Sequence, residues 1–204
     1  MSLTLLDRFR PRRALPAAPV FDGLAQVRGY WEGLRRDGAL PARMALDPRG
    51  LSGVLDRVFV AERIGPGLAQ VRIAGSGLAE FAGTGLAGLP LSCLFTPESR
   101  PLLAQSLERV FHEPCVTELD LGSDRGVVGV VMARGLLLPL ADEDDRKLVL
   151  GMIGFARGPG TRCKLQVLAR REEAVLLPPA PAVIDGTKKA VRGQRHLTLV
   201  HSKA

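Results

Sequence analysis

Three histidines, three cysteines, an acidic run and two arginines in apolar surroundings are the residues of this 204-residue chain that offer reactive or ligating chemistry. Acid–base and nucleophilic catalysis need a nucleophile, a base and an orienting group held together. His196 and His201 fall in a basic C-terminal end, which leaves His112 alone beside the apolar segments. His112 closes a helical stretch, where a cation suits the carbonyl end, and it reads as a surface or capping residue. No Gly-x-Ser-x-Gly elbow, phosphate loop or His-Glu-x-x-His pair is present. The carboxylates of Asp142-Glu143-Asp144-Asp145 read as a solvated hairpin tip. Cys93, Cys115 and Cys163 are odd in number and widely spaced, which gives neither a disulfide framework nor a metal knuckle. Cys93 and Cys115 read as small core residues. The expectation is a protein that is not an enzyme, with no metal site.

Arg72 and Arg43 are the polar residues of most interest. Arg72 sits in a strand-like run between Val71 and Ile73, so strict alternation puts its guanidinium on the face opposite theirs. On a helix-covered face it would reach a pocket and take a carboxylate or phosphate through two hydrogen bonds. Otherwise it forms a salt bridge, for instance to Glu80 or Asp56, or faces solvent. Arg43, in Pro-Ala-Arg, carries the same ambiguity.

The elements that would position these groups follow from periodicity. Leu24, Val27, Trp31 and Leu34 make one stripe of an amphipathic helix over about 22–36, with Asp22 as its N-cap. Such a stripe must be buried, across a sheet or between two subunits, and it is the candidate interface of a homodimer. Leu51, Val54 and Leu55 suggest a short helix. Strands over 57–64 and 68–75 flank Gly65-Pro66-Gly67, a hairpin signal, with Val71 and Ile73 sharing one face. A short helix is expected near 78–82. Thr96-Pro97 opens a long helix with the stripe Leu103, Leu107, Val110 and Phe111. Three strands follow, over 115–122, 127–140 and 147–155, and then a weak helix near 164–175. The class is α+β, with a five-stranded antiparallel sheet, helices on one face and an N-terminal amphipathic helix.

Charge divides the chain. The formal net charge is +7. Residues 21–156 contain 14 basic and 17 acidic groups, whereas residues 157–204 contain ten and three. The basicity therefore lies in a Pro-rich N-terminal extension (1–21) and a C-terminal extension (157–204) expected to be largely mobile, around a domain over 22–156. Any nucleic acid or anionic membrane contact would belong to the basic tail, which lacks interleaved aromatics for base stacking. The N-terminus fits neither a secretory signal nor a span of roughly 20 apolar residues, and the cysteine usage suits a reducing cytoplasm.

The order and spacing of several short motifs resemble a bacterial PAS-domain family once catalogued only as a domain of unknown function. They are Trp31 in the first helix, Pro41 with Arg43, Asp47 with Pro48, Arg72 through Gly75, Gly83 with Gly88, and Leu138 through Leu140. The resemblance covers about residues 25–156. It implies a stand-alone sensory or regulatory module that signals through protein contact, gated by a small ligand or acting as a dimerisation adaptor with a filled core. It lends no general reaction or cofactor, so the cofactor stays unknown. Haem would need an axial ligand such as His112, Cys93 or Cys115. Photoactive relatives carry an Asn-Cys-Arg-Phe-Leu motif, and Ser92-Cys93-Leu94-Phe95 lacks its Asn and Arg. The pocket such domains hold between sheet and helices would here be lined by Phe81, Leu89, Phe95, Leu107, Phe111, Met132, Leu138 and Phe155, with Arg72 as the polar anchor.

Overall fold

A computed structural model describes residues 21–141, 146–156 and 163–177. The two ends, the acidic turn at 142–145, His196 and His201 therefore lie outside the described residues or largely so. The chain runs α1 (Leu24–Leu34), β1 (Val58–Gly65), β2 (Leu68–Ala74), α2 (Ser76–Ala82), α3 (Arg100–His112), β3 (Cys115–Ser123), β4 (Ala133–Leu140), β5 (Leu148–Phe155) and β6 (Leu165–Ala174). Three 3-10 turns, Arg43–Ala45, Pro48–Leu51 and Leu55–Arg57, join α1 to β1.

The six strands form one sheet in the order β2-β1-β5-β4-β3-β6, and every neighbouring pair is antiparallel. Every residue of β5 is buried, as are all of β4 but Arg134, because layers cover both faces of the sheet. On one face α2, α3 and the 3-10 turn Leu91–Leu94 close over Phe59, Ala61, Val71, Leu119, Leu137 and Val149. On the other, α1 and the turn Pro48–Leu51 close over Val58, Val60, Leu136, Leu138, Leu150 and Met152. The uninterrupted apolar runs of β4 and β5 are what two-sided burial requires.

Four expectations need correction. The sheet has a sixth strand, because 164–175 is not a helix: β6 pairs with β3 over nine positions from Cys115↔Ala174 to Ser123↔Leu165. Arg, Glu, Leu and Ala there favour a helix locally, but the ladder satisfies the open edge of β3, and tertiary context outweighs propensity. Strand β4 begins at Ala133, six residues later than predicted, because β3 and β4 pair only from Leu121↔Ala133 to Thr117↔Leu137. Residues 124–132 connect them, with Val127, Val128 and Val130 exposed. Asp22 does not cap α1; Gly23 occupies the N-cap with φ +90°. Val71 and Ile73 do not share a face. The β1–β2 ladder shifts register between Val60↔Ile73 and Ala61↔Val71. Arg72 is the extra residue of a bulge, which turns Ile73 to the other side of the sheet.

Polar contacts lock the layers. Trp31, fully buried, donates its Nε1–H to the carbonyl of Pro139 at 2.8 Å. The β3–β4 ladder stops before Pro139, so the proline disrupts no pairing there, and its carbonyl is available to α1. On the other face Arg63 of β1 grips Glu108 of α3 through two hydrogen bonds of 2.9 and 3.1 Å, and Gly67 N–H donates to the same carboxylate. The Arg63 hydrogen bonds are the main cause that holds the Glu108 carboxyl below its ordinary range, against the opposing effect of burial. Asp120 is held low likewise, first by Arg171 of β6, then by Arg134 of β4.

A carboxylate whose folded pKa is depressed adds stability that is fully present above its unfolded value, about 4.3 for Glu. That stability is lost as pH falls through the lower folded value. Glu108→Gln is therefore expected to flatten part of the acid limb of a stability-versus-pH curve measured by urea titration, leaving the share owed to Asp120. Ending the chain after residue 156 removes β6 and exposes the edge of β3. It is expected to lower the melting temperature by roughly 5 °C or more and to promote association. A chain ending after residue 177 keeps β6 and should melt like the full protein; calorimetry on the two truncations compares them.

Candidate functional site

Most of the residues predicted to line a pocket pack against one another. Phe81, Phe95, Leu107, Phe111 and Phe155 are buried in the helix-side core, and the rings of Phe81 and Phe155 lie 5.1 Å apart, tilted by 46°. Met132 and Cys93 are half-buried against the same cluster. Leu89 is half-buried, and its carbonyl accepts the Val71 N–H at 2.9 Å, covering part of the edge of β2. Leu138 does not join this cluster; it lies on the opposite face, among the residues under α1. Arg72 also leaves it. Alternation from Val71, which packs in the helix-side core, turns its side chain away from α2 and α3, and its Nε pairs with Glu62 at 2.8 Å. Neither Glu80 nor Asp56 is its partner.

A cavity formed by described residues lies on the other face. It holds about 520 Å³, within the range of small-molecule sites. Val58 and Val60 of β1, Ile73 of β2 and Leu150 of β5 make its floor. Its wall is the chain of 3-10 turns between α1 and β1, through Leu46, Pro48, Leu51 and Leu55. Local sequence builds this wall. Asp47 accepts the Arg49 N–H at 2.9 Å and caps the turn begun by Pro48. Gly75, at the end of β2, donates its N–H to Val58 at 2.8 Å, and a Cβ there would lie 2.1 Å from the Leu55 carbonyl oxygen. Only glycine lets the turn Leu55–Arg57 approach β2 so closely.

Four polar or charged side chains line the cavity: Arg43, Asp47, Asp56 and Ser76. Asp56 lies 3.5 Å from the Arg57 guanidinium. Arg43 is half-buried, and among the described residues its guanidinium has no ion pair or hydrogen bond, while its backbone N–H is fixed to the Ala141 carbonyl at 2.9 Å. Of the two arginines weighed from the sequence, the tertiary structure brings Arg43, not Arg72, to a cavity.

The cavity wall is tied to α1 on its far side. The Tyr30 hydroxyl donates to the Asp47 carbonyl at 3.0 Å and accepts the Asp47 N–H at 2.6 Å. Gln26, one helical turn earlier, donates to the Ser52 carbonyl at 3.0 Å. The residues predicted as a dimer interface divide. Val27 and Trp31 are fully buried inside the chain, and Leu24 and Leu34 are half-buried at the margins of α1.

Two smaller cavities complete the picture. One of about 360 Å³ lies near the end of α3, lined by Phe111, His112, Pro139 and Arg146 among others. Another of about 170 Å³ lies among Arg28, Glu118, Arg171 and Glu173. His112 ends α3, with its Nδ1 3.1 Å from the Glu108 carbonyl oxygen. Burial pushes the Cys93 and Cys115 thiols up, and none of the three cysteines is joined in a disulfide. Among the described residues no group of three His, Cys, Asp or Glu side chains is placed to hold a metal ion, and no helix is long and apolar enough to cross a membrane.

The residues of the cavity floor were legible only as strand residues. Their one signal was the unbroken Val58-Phe59-Val60 run, which implies burial on both faces. Ile73 had none, because a bulge leaves no mark in alternation. A family model described as a PAS domain matches residues 22–154. No curated protein and no solved structure matches the chain.

Gly75→Ala is expected to cost about 1–3 kcal/mol, the range for overpacking against fixed atoms. Gly65→Ala, where a Cβ meets nothing within 4 Å, should stay within about 0.5 kcal/mol of the parent. Urea unfolding of the two variants checks the contrast.

Proposed function

Because the chain belongs to the PAS-domain family, whose members generally serve as sensory and regulatory modules, we propose that it is a cytoplasmic regulator. On this reading a small molecule binds in the cavity beneath the 3-10 turns and changes the surface that α1 offers to a protein partner. It works by contact, without chemical turnover. The observation that carries this reading is the 520 Å³ cavity whose wall is hydrogen-bonded on its other side to Tyr30 and Gln26 of α1. A ligand that shifts the turn Pro48–Leu51 acts on α1 through those bonds. Three cysteines outside any disulfide support a reducing compartment.

A homodimer belongs to the same proposal, since PAS domains commonly mediate association. Its contact excludes Val27 and Trp31, which the chain's own sheet covers. One observation favours a second reading, a dimerisation adaptor without a ligand: the space between the sheet and α2 and α3 is filled by Phe81, Phe155, Leu107 and their neighbours. Polyanion binding through the basic tail rests on charge alone: of its ten basic residues Lys164, Arg170 and Arg171 lie at or in β6, and the others lie outside the described residues.

The test uses Ile73→Trp, which fills the cavity from a position that is 57% exposed and so leaves the core intact. A thermal-shift screen of apolar small molecules on the full chain should find binders that raise the melting temperature of the parent and leave the variant unmoved. Trp31 is the only tryptophan, so its emission reports α1 directly, and Tyr30→Phe should weaken the emission response without abolishing binding. A screen in which no molecule distinguishes parent from Ile73→Trp overturns ligand gating and leaves the adaptor.

A further inference from the structure

We infer that the occupant of the 520 Å³ cavity is an amphipathic monocarboxylate, with its apolar chain on Val58, Val60, Ile73 and Leu150 and its carboxylate on Arg43. This rests on the proposal that the cavity binds a ligand, and it adds the chemical class. The floor has no polar side chain, so a chain of methylene groups gains by leaving water there. Met44, 75% exposed at the mouth, adds a flexible thioether that adapts to the shape of a bound chain.

The charge at the rim decides the head group. Asp47 is engaged by the Arg49 N–H, and Asp56 lies beside Arg57. Of the three, Arg43 alone has no ion pair or hydrogen bond at its charged group among the described residues, so an anionic head placed there displaces no partner. A guanidinium presents paired N–H donors that match the two oxygens of a carboxylate. One free positive charge beside two carboxylates favours a single negative charge over a phosphate dianion, which the aspartates repel. An amine head at Asp56 would compete with Arg57, and at Asp47 it would share a carboxylate that already accepts the Arg49 N–H, so octylamine is the control for that alternative. The backbone of Arg43 is held to Ala141, and the Ala141 N–H returns a hydrogen bond to Pro41. The head-group donor therefore starts from a fixed point at the end of β4.

The experiment titrates the full chain with octanoate, 1-octanol, octylamine and octyl phosphate, each below its micelle concentration, and follows Trp31 emission and heat. Octanoate is expected to bind about tenfold or more tighter than 1-octanol, as a charge-assisted hydrogen bond allows, and tighter than octylamine or octyl phosphate. Arg43→Gln should remove the advantage of octanoate while leaving 1-octanol binding unchanged, which also shows that the variant is folded. Arg43→Lys should restore part of it. Equal binding of octanoate and 1-octanol to the parent, or an octanoate preference that survives Arg43→Gln, overturns the carboxylate assignment and leaves the cavity as an apolar site. Tighter binding of octyl phosphate does the same. Absence of binding by every probe, or a binding heat unaffected by Ile73→Trp, whose added tryptophan rules out emission as its readout, overturns both this inference and the ligand-gated reading beneath it.

Discussion

The fold depends on burying both faces of the central strands. β4 and β5 carry apolar side chains on each side of the sheet, so a single helical layer would leave one face wet. Helices α2 and α3 cover one side. The other is closed by α1, and α1 stays there because Val27 and Trp31 sink fully into it and the indole N–H finds the Pro139 carbonyl. A buried indole without an acceptor would cost about 1–3 kcal/mol. The place where β3 stops pairing with β4 is thus also the place where the N-terminal helix is anchored.

Covering that second face is incomplete, and the gap is the candidate site. α1 lies over β4 and β5, while the 3-10 turns between α1 and β1 arch over β1 and the edge strand β2. The bulge at Arg72 acts there. It turns Ile73 onto the floor of the gap beside Arg72, which alternation from Val71 already turns to that face and which pairs with Glu62. Without the extra residue Ile73 would point into the helix-side core and the floor would end at Val60. The stretch Arg72-Ile73-Ala74-Gly75 therefore shapes the cavity through backbone geometry, through the bulge and the close approach at Gly75. Its arginine takes no part in the lining.

Electrostatic contacts join the layers at their margins instead of in their centres. Arg63 and Glu108 hold the β1–β2 hairpin to α3, and Asp120 gathers Arg134 and Arg171 across three strands. Arg28 of α1 meets Glu173 of β6, with Glu118 3.9 Å away. Such pairs are partly screened by solvent, so their individual worth is modest. They fix how elements meet: β6 is secured by a backbone ladder along one side and by these charges along its outer surface.

The sequence by itself determined the class, the element order from α1 to β5 and the PAS resemblance. Those depend on local signals: a 3.6-residue stripe through Val27 and Trp31, a Gly-Pro-Gly hairpin, a proline at a helix start, and apolar runs bounded by turns. Phe81, Phe95, Leu107, Phe111 and Phe155, expected as a pocket lining from the resemblance, lie together in the helix-side core. Tertiary structure alone decided the rest. A strand at 165–174 exists because β3 has an edge to fill, and no window of that segment records the need. Ile73 changes face because a bulge shifts phase between two chains, which alternation along one chain cannot register. Arg43 rather than Arg72 reaches the cavity of about 520 Å³ because that cavity is enclosed by turns, sheet and strand end from four separate stretches of sequence. Packing volume is a property of surfaces that meet only once the chain has folded.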